Sequence, residues 1–213
     1  MNRNNILVVL PHPDDEAFGI AGSLAMHIDE GAQVTYACLT LGEMGRNMGF
    51  PPFTNRVNLP QIRKAELEAS CRAIGIQDLR LLGFHDKTIE FEDEDVLDGK
   101  IGELVETLKP SIIYTFYPGY SVHPDHDACG AAVVRVVEKL PKRERPTVLC
   151  VAFSRNHEQF IGKPDVVRDV SKYIERKKAS LLAHRSQFQL VGGTGKEFAE
   201  RFGKERFWTY PFR

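Results

Sequence analysis

The sequence predicts an α/β fold: a three-layer sandwich with a mostly parallel sheet between two sets of helices, and an active site at the carboxyl ends of the strands. Two observations predict it. Short β-rich runs alternate with stretches of helical periodicity, the pattern of strands joined by helical crossovers. The first run, Ile6-Leu7-Val8-Val9-Leu10, is apolar at every position, as a strand covered on both faces must be.

After that strand, residues 16–30 carry Phe18, Ile20, Leu24 and Ile28 at helical spacing, and Gly31 stops the helix. Residues 34–39 form a second strand. Residues 41–59 are rich in Gly and Pro and form a long structured loop, a kind of segment that is often functional. Pro60 opens the next helix and Gly75 ends it. A strand at 79–83, a helix at 93–109 stopped by Pro110 and a strand at 111–117 follow. A helix at 126–140, a strand at 147–153, an extended piece at 166–170 and helices near 171–184 and 195–202 complete the pattern. The arrangement is Rossmann-like, but Pro11-His12-Pro13-Asp14 offers no Gly-rich turn for a dinucleotide.

Composition narrows the function. The 213 residues are 42% hydrophobic, enough to bury a full core. Lys and Arg number 28 against 29 Asp and Glu, so the net charge of −1 supplies no basic surface for nucleic acid or an anionic membrane. The apolar run at 6–10 is too short for a signal-peptide core and no segment approaches a membrane span, so the chain is expected to be cytoplasmic. Cys38, Cys71, Cys129 and Cys150 are scattered without a Cys-x-x-Cys pair and are expected to be buried free thiols.

In an open parallel sheet, ligands bind beyond the carboxyl ends of the strands, so reactive side chains should follow strands. They do. His12-Pro13-Asp14-Asp15-Glu16 follows the first strand, Thr40-Leu41-Gly42-Glu43 the second, His85-Asp86 the third and His123-Pro124-Asp125-His126-Asp127 the fourth. Four of the seven histidines sit in these loops. His12, Asp15 and His126 offer two imidazoles and a carboxylate, which leaves one position of a tetrahedral Zn²⁺ open, the pattern of a catalytic site. Fe²⁺ or another divalent metal would accept the same donors. Asp14 is left free as a base, and His123 can face the same pocket. Acidic residues at a helix start also serve as caps, but three adjacent carboxylates after a buried strand are costly unless paired or metal-bound.

At Pro11-His12-Pro13-Asp14-Asp15-Glu16 and His123-Pro124-Asp125-His126 the sequence resembles the LmbE/PIG-L family of zinc-dependent N-acetylglucosaminyl deacetylases. Thr40-x-Gly42-Glu43, Arg63-x-x-Glu66 and Ala183-His184-Arg185-Ser186-Gln187 add to the resemblance. The segment from Asn55-Arg56 to Glu66 is most similar to the bacillithiol biosynthesis deacetylases. The resemblance implies one domain over residues 1–213 and hydrolysis of N-acetylglucosaminyl-malate to glucosaminyl-malate and acetate. An amidase acting on thiol S-conjugates in detoxification, or a deacetylase of another small N-acetylglucosamine derivative, are the alternatives. It further implies a small amino-sugar glycoside as partner and, by analogy alone, a homo-oligomer. In the reaction so implied, Asp14 moves the proton. His123, protonated, stabilises the oxyanion, and Asp125 hydrogen-bonds to His123 and raises its pKa. Glu43, Arg63 and Asp86 are candidates for binding the sugar, and Arg56 for binding the malate carboxylate. An Arg63–Glu66 surface pair and an ordinary turn at His85-Asp86 are the plainer readings of those residues. His184 is placed near the site by the resemblance, or is a packing residue. The position two before His123 is Ser121, so no tyrosine is assigned to the oxyanion.

Overall fold

The computed structural model describes residues 4–189 and 195–212. β1 (Asn5–Leu10) lies at the centre and pairs in parallel with β2 (Gln33–Cys38) on one side and β4 (Ile112–Phe116) on the other. β3 (Asp78–Leu81) extends the sheet beyond β2, and β5 (Thr147–Val151) extends it beyond β4, both in parallel. The sheet order is β3-β2-β1-β4-β5-β7-β6. The mostly parallel α/β architecture expected from the sequence is therefore borne out.

Side chains of β1 alternate between two cores. Ile6, Val8 and Leu10 pack on one face with α2 (Ala21–Asp29), α3 (Leu59–Ile74) and the region of α7 (Ile174–Ala183). Leu7 and Val9 pack on the other with α4 (Glu94–Leu108) and α5 (Pro124–Glu138). Burial on both faces is what made this strand apolar throughout. The four cysteines are buried free thiols, as expected.

Three elements differ from the sequence expectation. The helix expected at 16–30 is two, α1 (Asp15–Gly19) and α2, broken at Ile20 directly after Gly19. The break is stabilised from afar: Glu205 accepts the backbone N–H groups of Gly22 and Ser23 at 2.9 and 2.7 Å, capping α2 in place of a local side chain. Glu205 belongs to β7 (Lys204–Thr209), a strand not anticipated. It enters the sheet antiparallel between β5 and β6 (Val166–Asp169). A short helix α6 (His157–Ile161) also went unforeseen, whereas α8 (Gly195–Phe202) lies where expected. Glu205 also receives the buried ammonium of Lys177 from α7, so one carboxylate ties together α2, α7 and β7.

β1 is flanked by β2 and β4, whose connections leave it in opposite directions. The crevice beyond the carboxyl ends of β1 and β4 is the switch point at which such sheets bind ligands.

Candidate metal centre

The loop after β1 and the start of α5 face each other across this crevice. Asp15 opens α1, and its Oδ2 accepts the backbone N–H of His12 at 2.8 Å, folding the turn back on itself. Pro124 opens α5 with His123 as its N-cap, two residues earlier than the sequence suggested, which places His126 in the first helical turn. Residues 114 positions apart are thereby brought together: His12 Nδ1 lies 3.2 Å from His126 Nε2. Asp15 completes the triangle, with Oδ2 3.5 Å from His12 Nδ1 and Oδ1 3.3 Å from His126 Nε2. A tetrahedral ion with bonds of about 2.0–2.1 Å holds its ligand atoms roughly 3.3 Å apart, so the three gaps fit one.

The outer ring nitrogens support the same reading. His126 Nδ1 faces the carbonyl oxygen of Ser121 at 3.0 Å, and the ring stacks on Phe116 at 3.9 Å. His12 Nε2 faces Asp125 Oδ2 and Asp86 Oδ1, each at 3.1 Å. With these acceptors holding the ring hydrogens on the outer nitrogens, the neutral tautomers converge two lone pairs and a carboxylate on one point. Such a set can hold a cation. Burial opposes charge on His12, but its hydrogen bonds with Asp125, Asp15 and Asp86 outweigh that and raise its pKa well above the usual value. Protons therefore compete with a metal ion at this ring.

The structure corrects the expected partnership of Asp125 with His123. The Asp125 carboxylate turns to His12 and also accepts the Lys87 N–H at 2.7 Å, while His123 Nδ1 accepts only the backbone N–H of Asp125, at 3.1 Å. The expected rise in the His123 pKa is reversed as well. Burial and the neighbouring His12 and His126 lower it, against the upward pull of Asp125 and Asp86. The Asp125 N–H leaves the His123 hydrogen on Nε2, so the ring is a neutral donor rather than an imidazolium.

Asp14 caps α1 with φ 106°, a left-handed conformation that costs a non-glycine residue on the order of 1–3 kcal/mol. Its Oδ2 accepts from Arg63 Nη2 at 2.9 Å. Burial raises the Asp14 pKa to about 6 against the pull of Arg63. Arg63 was expected on the sugar. Instead it is buried in α3, bonded to Asp14, the Pro13 carbonyl and, at 2.9 Å, the Gly42 carbonyl. A Cβ at Gly42 would lie 1.8 Å from its Nη1, so the residue after Leu41 must lack one. Asp86, also expected on the sugar, is buried, with Oδ1 on His12 and Oδ2 accepting the Met44 N–H at 2.8 Å. Glu43 is half-buried and accepts the Asp86 N–H at 3.2 Å. Arg56 is exposed outside the cluster, with Nη1 donating to the carbonyls of Glu43 and Gly45 at 2.6 and 2.8 Å. Sequence reasoning assigned no role to Glu16, Ser70 or Lys87; the contacts of Ser70 and Lys87 are tertiary, while Glu16 turns back on the backbone N–H of Asp14. It left His184 between two readings, and His184 is fully buried against Glu16.

The family profile described as PIG-L: GlcNAc-PI de-N-acetylase matches residues 7–137, which include every candidate metal ligand. The chain belongs to this family. The expectation drawn from the two His-Pro-Asp motifs is thus borne out. One PIG-L relative, from Bacillus cereus, is named probable N-acetyl-alpha-D-glucosaminyl L-malate deacetylase 2. It is 49% identical, with 99% of both chains covered. The N,N'-diacetylchitobiose deacetylase of Pyrococcus horikoshii has a similar structure, with a TM-score of 0.75 at 22% identity, over 99% of this chain and 85% of that one. The 4-carboxy-2-hydroxymuconate hydratase of Pseudomonas putida KT2440 scores 0.73 at 17% identity, over 93% of this chain and 82% of that one. A shared fold therefore does not by itself decide the reaction, and the side chains of the PIG-L centre must. Among the described residues no helix is long and apolar enough to cross a membrane.

Proposed function

We propose that this chain, as one catalytic domain acting in the cytoplasm, hydrolyses the N-acetyl group of N-acetylglucosaminyl-malate, giving glucosaminyl-malate and acetate in bacillithiol biosynthesis. The observation that carries the reading is the convergence of His12 Nδ1, His126 Nε2 and the Asp15 carboxylate beside the ionisable Asp14. The full-length relative named for that deacetylation supports the choice of substrate. His12, Asp15 and His126 would hold a divalent ion, Zn²⁺ before Fe²⁺, which supplies Lewis acidity toward the amide carbonyl and makes water a stronger acid.

The remaining steps belong to the chain's own groups. Asp14 takes a proton from the attacking water and delivers it to the leaving amine nitrogen. His123 donates its Nε2 hydrogen to the carbonyl oxygen as that atom gains charge, acting as a neutral donor. Asp86 and Asp125 fix the ring of His12. Glu43, at the rim, accepts from a sugar hydroxyl. The exposed guanidinium of Arg56 keeps donors free beyond Nη1 for a carboxylate on the aglycone.

The test is acetate release from N-acetylglucosaminyl-malate and from N-acetylglucosamine, with zinc removed by a chelator and restored. Release should stop and recover with the metal and favour the malate glycoside. Asp14→Ala should keep its metal and lose turnover by about 100-fold or more. Near-full turnover of the metal-loaded variant would remove Asp14 from the role of base. Cleavage of a thiol-conjugate amide in preference to the glycoside would reassign the substrate.

A further inference from the structure

The reaction proposed above leaves Glu16 without a part, although it is next to Asp15, two residues from Asp14 and fully buried. Every contact it makes is tertiary or turns back on the loop. Its Oε2 accepts the backbone N–H of Asp14 at 3.1 Å, and its Oε1 accepts from His184 Nε2 at 2.6 Å and from the Ser70 hydroxyl. The Tyr36 hydroxyl lies 3.3 Å from both Oε2 and the carbonyl oxygen of His12. His184, at the end of α7, is also fully buried, and its Nδ1 has no partner among the described residues. A buried ion pair is weak evidence of stabilisation in itself, since such pairs are often replaced by apolar residues of similar volume without loss. What the pair does provide is a fixed acceptor for one backbone N–H. That N–H belongs to Asp14, the residue held at φ 106°.

We propose that Glu16 and His184 are positioning residues for Asp14: the buried pair anchors the Asp14 backbone in its left-handed conformation, while Arg63 anchors its carboxylate. Without the acceptor, the Asp14 N–H is stranded, the turn relaxes toward negative φ and the carboxylate swings off its bearing. Neither residue touches substrate. The inference rests on reading Asp14 as the base, and acetate release by the unaltered chain tests that reading separately. Variants are then compared with the parent on whichever acetylated amino sugar it cleaves.

The test is His184→Leu against His184→Gln, each assayed at saturating metal and well below its unfolding temperature. His184→Leu should lower kcat by about 100-fold, since small misplacements of a reacting group cost that much. KM and metal content should stay unchanged, a split that a loss of stability alone does not produce. His184→Gln, which can return an N–H to Glu16 without charge, should restore kcat to within about fivefold of the parent. A kcat for His184→Leu within about threefold of the parent overturns the proposal, as does a loss carried by KM. If His184→Leu does not fold, Glu16→Gln decides. It keeps size but sets an amide NH₂ against one of the donors, so a kcat reduced tenfold or more supports the proposal, and one within about threefold overturns it.

Discussion

Two carboxylates face the same ring nitrogen of His12, and the structure predicts that neutralising them has unequal effects. Asp86 Oδ2 is committed to the Met44 N–H at 2.8 Å. An Asn at this position keeps its oxygen there and turns its NH₂ toward His12 Nε2, where Oδ1 stood at 3.1 Å. A donor then meets a donor, and the tautomer that frees Nδ1 for a metal is opposed. In Asp125 the pattern is inverted. Oδ2 serves both the Lys87 N–H at 2.7 Å and His12 Nε2 at 3.1 Å, while Oδ1 is buried without a partner among the described residues. Asn at 125 keeps an oxygen for both donors and places its NH₂ in the empty position. Losing the partner of a metal-bound imidazole costs roughly 10–100-fold in metal affinity. Asp86→Asn should fall near the upper end, about 2.7 kcal/mol, and Asp125→Asn near the lower, about 1.4 kcal/mol. Stability should run the other way, because a stranded buried NH₂ costs about 1–3 kcal/mol in the metal-free Asp125→Asn protein. Zinc affinity by competition with a chromogenic chelator, taken over a range of pH to separate proton competition at His12, measures the first. Thermal unfolding of the metal-free proteins measures the second. Tighter zinc binding by Asp86→Asn than by Asp125→Asn, or parent-like affinity in both, would refute the assignment of His12 Nδ1 as a ligand.

Other consequences are as direct. Burial lifts the Asp14 pKa to about 6 while Arg63 draws it down. A base works only when ionised, so activity is lost as pH falls through this pKa. Arg63→Met should move the acid limb of kcat to higher pH, and an unmoved limb would show that Arg63 does not act on Asp14. Arg56→Ala should raise KM for the malate glycoside more than for N-acetylglucosamine, and equal changes would remove Arg56 from aglycone binding. Lys177→Met strands the buried Glu205 carboxylate, whose bonds to Gly22 and Ser23 compensate in part. The loss should be about 3 kcal/mol, the low end for a broken buried pair, or a Tm fall of roughly 6–12 °C. Turnover below the transition should not change, and a Tm within about 2 °C of the parent would count against the pair.

The meeting of His12, Asp15 and His126 was legible because the rule for parallel sheets converts position after a strand into position in space. The roles of Arg63, Asp86 and Asp125 were not legible, since each is decided by what a neighbouring loop presents: a carbonyl of Gly42, an N–H of Met44, an N–H of Lys87. A carboxylate after a strand reads alike whether it turns outward to a sugar or inward to an imidazole. β7 escaped for a related reason. Its inward positions are Glu205 and Phe207, and a charge at one of them breaks the apolar alternation that marks a strand. That charge is favourable only because Lys177 and two N–H groups of α2 await it. The start of α2 after Ile20 is capped by the same distant carboxylate.

The cap of α2 lies 183 positions downstream of the N–H it accepts. During synthesis on the ribosome this helix emerges among the first elements and waits for nearly all the rest before its amino end is sealed. The loop bearing His12, Asp14 and Asp15 is joined to that helix through the single short turn of α1, so its final setting is linked to the same moment. A nascent or truncated chain lacking residue 205 would carry His12, Asp15 and His126 and still hold them on an unfastened support. A fusion or tag attached beyond β7 should be judged by its effect on this early helix, rather than on the tail it extends.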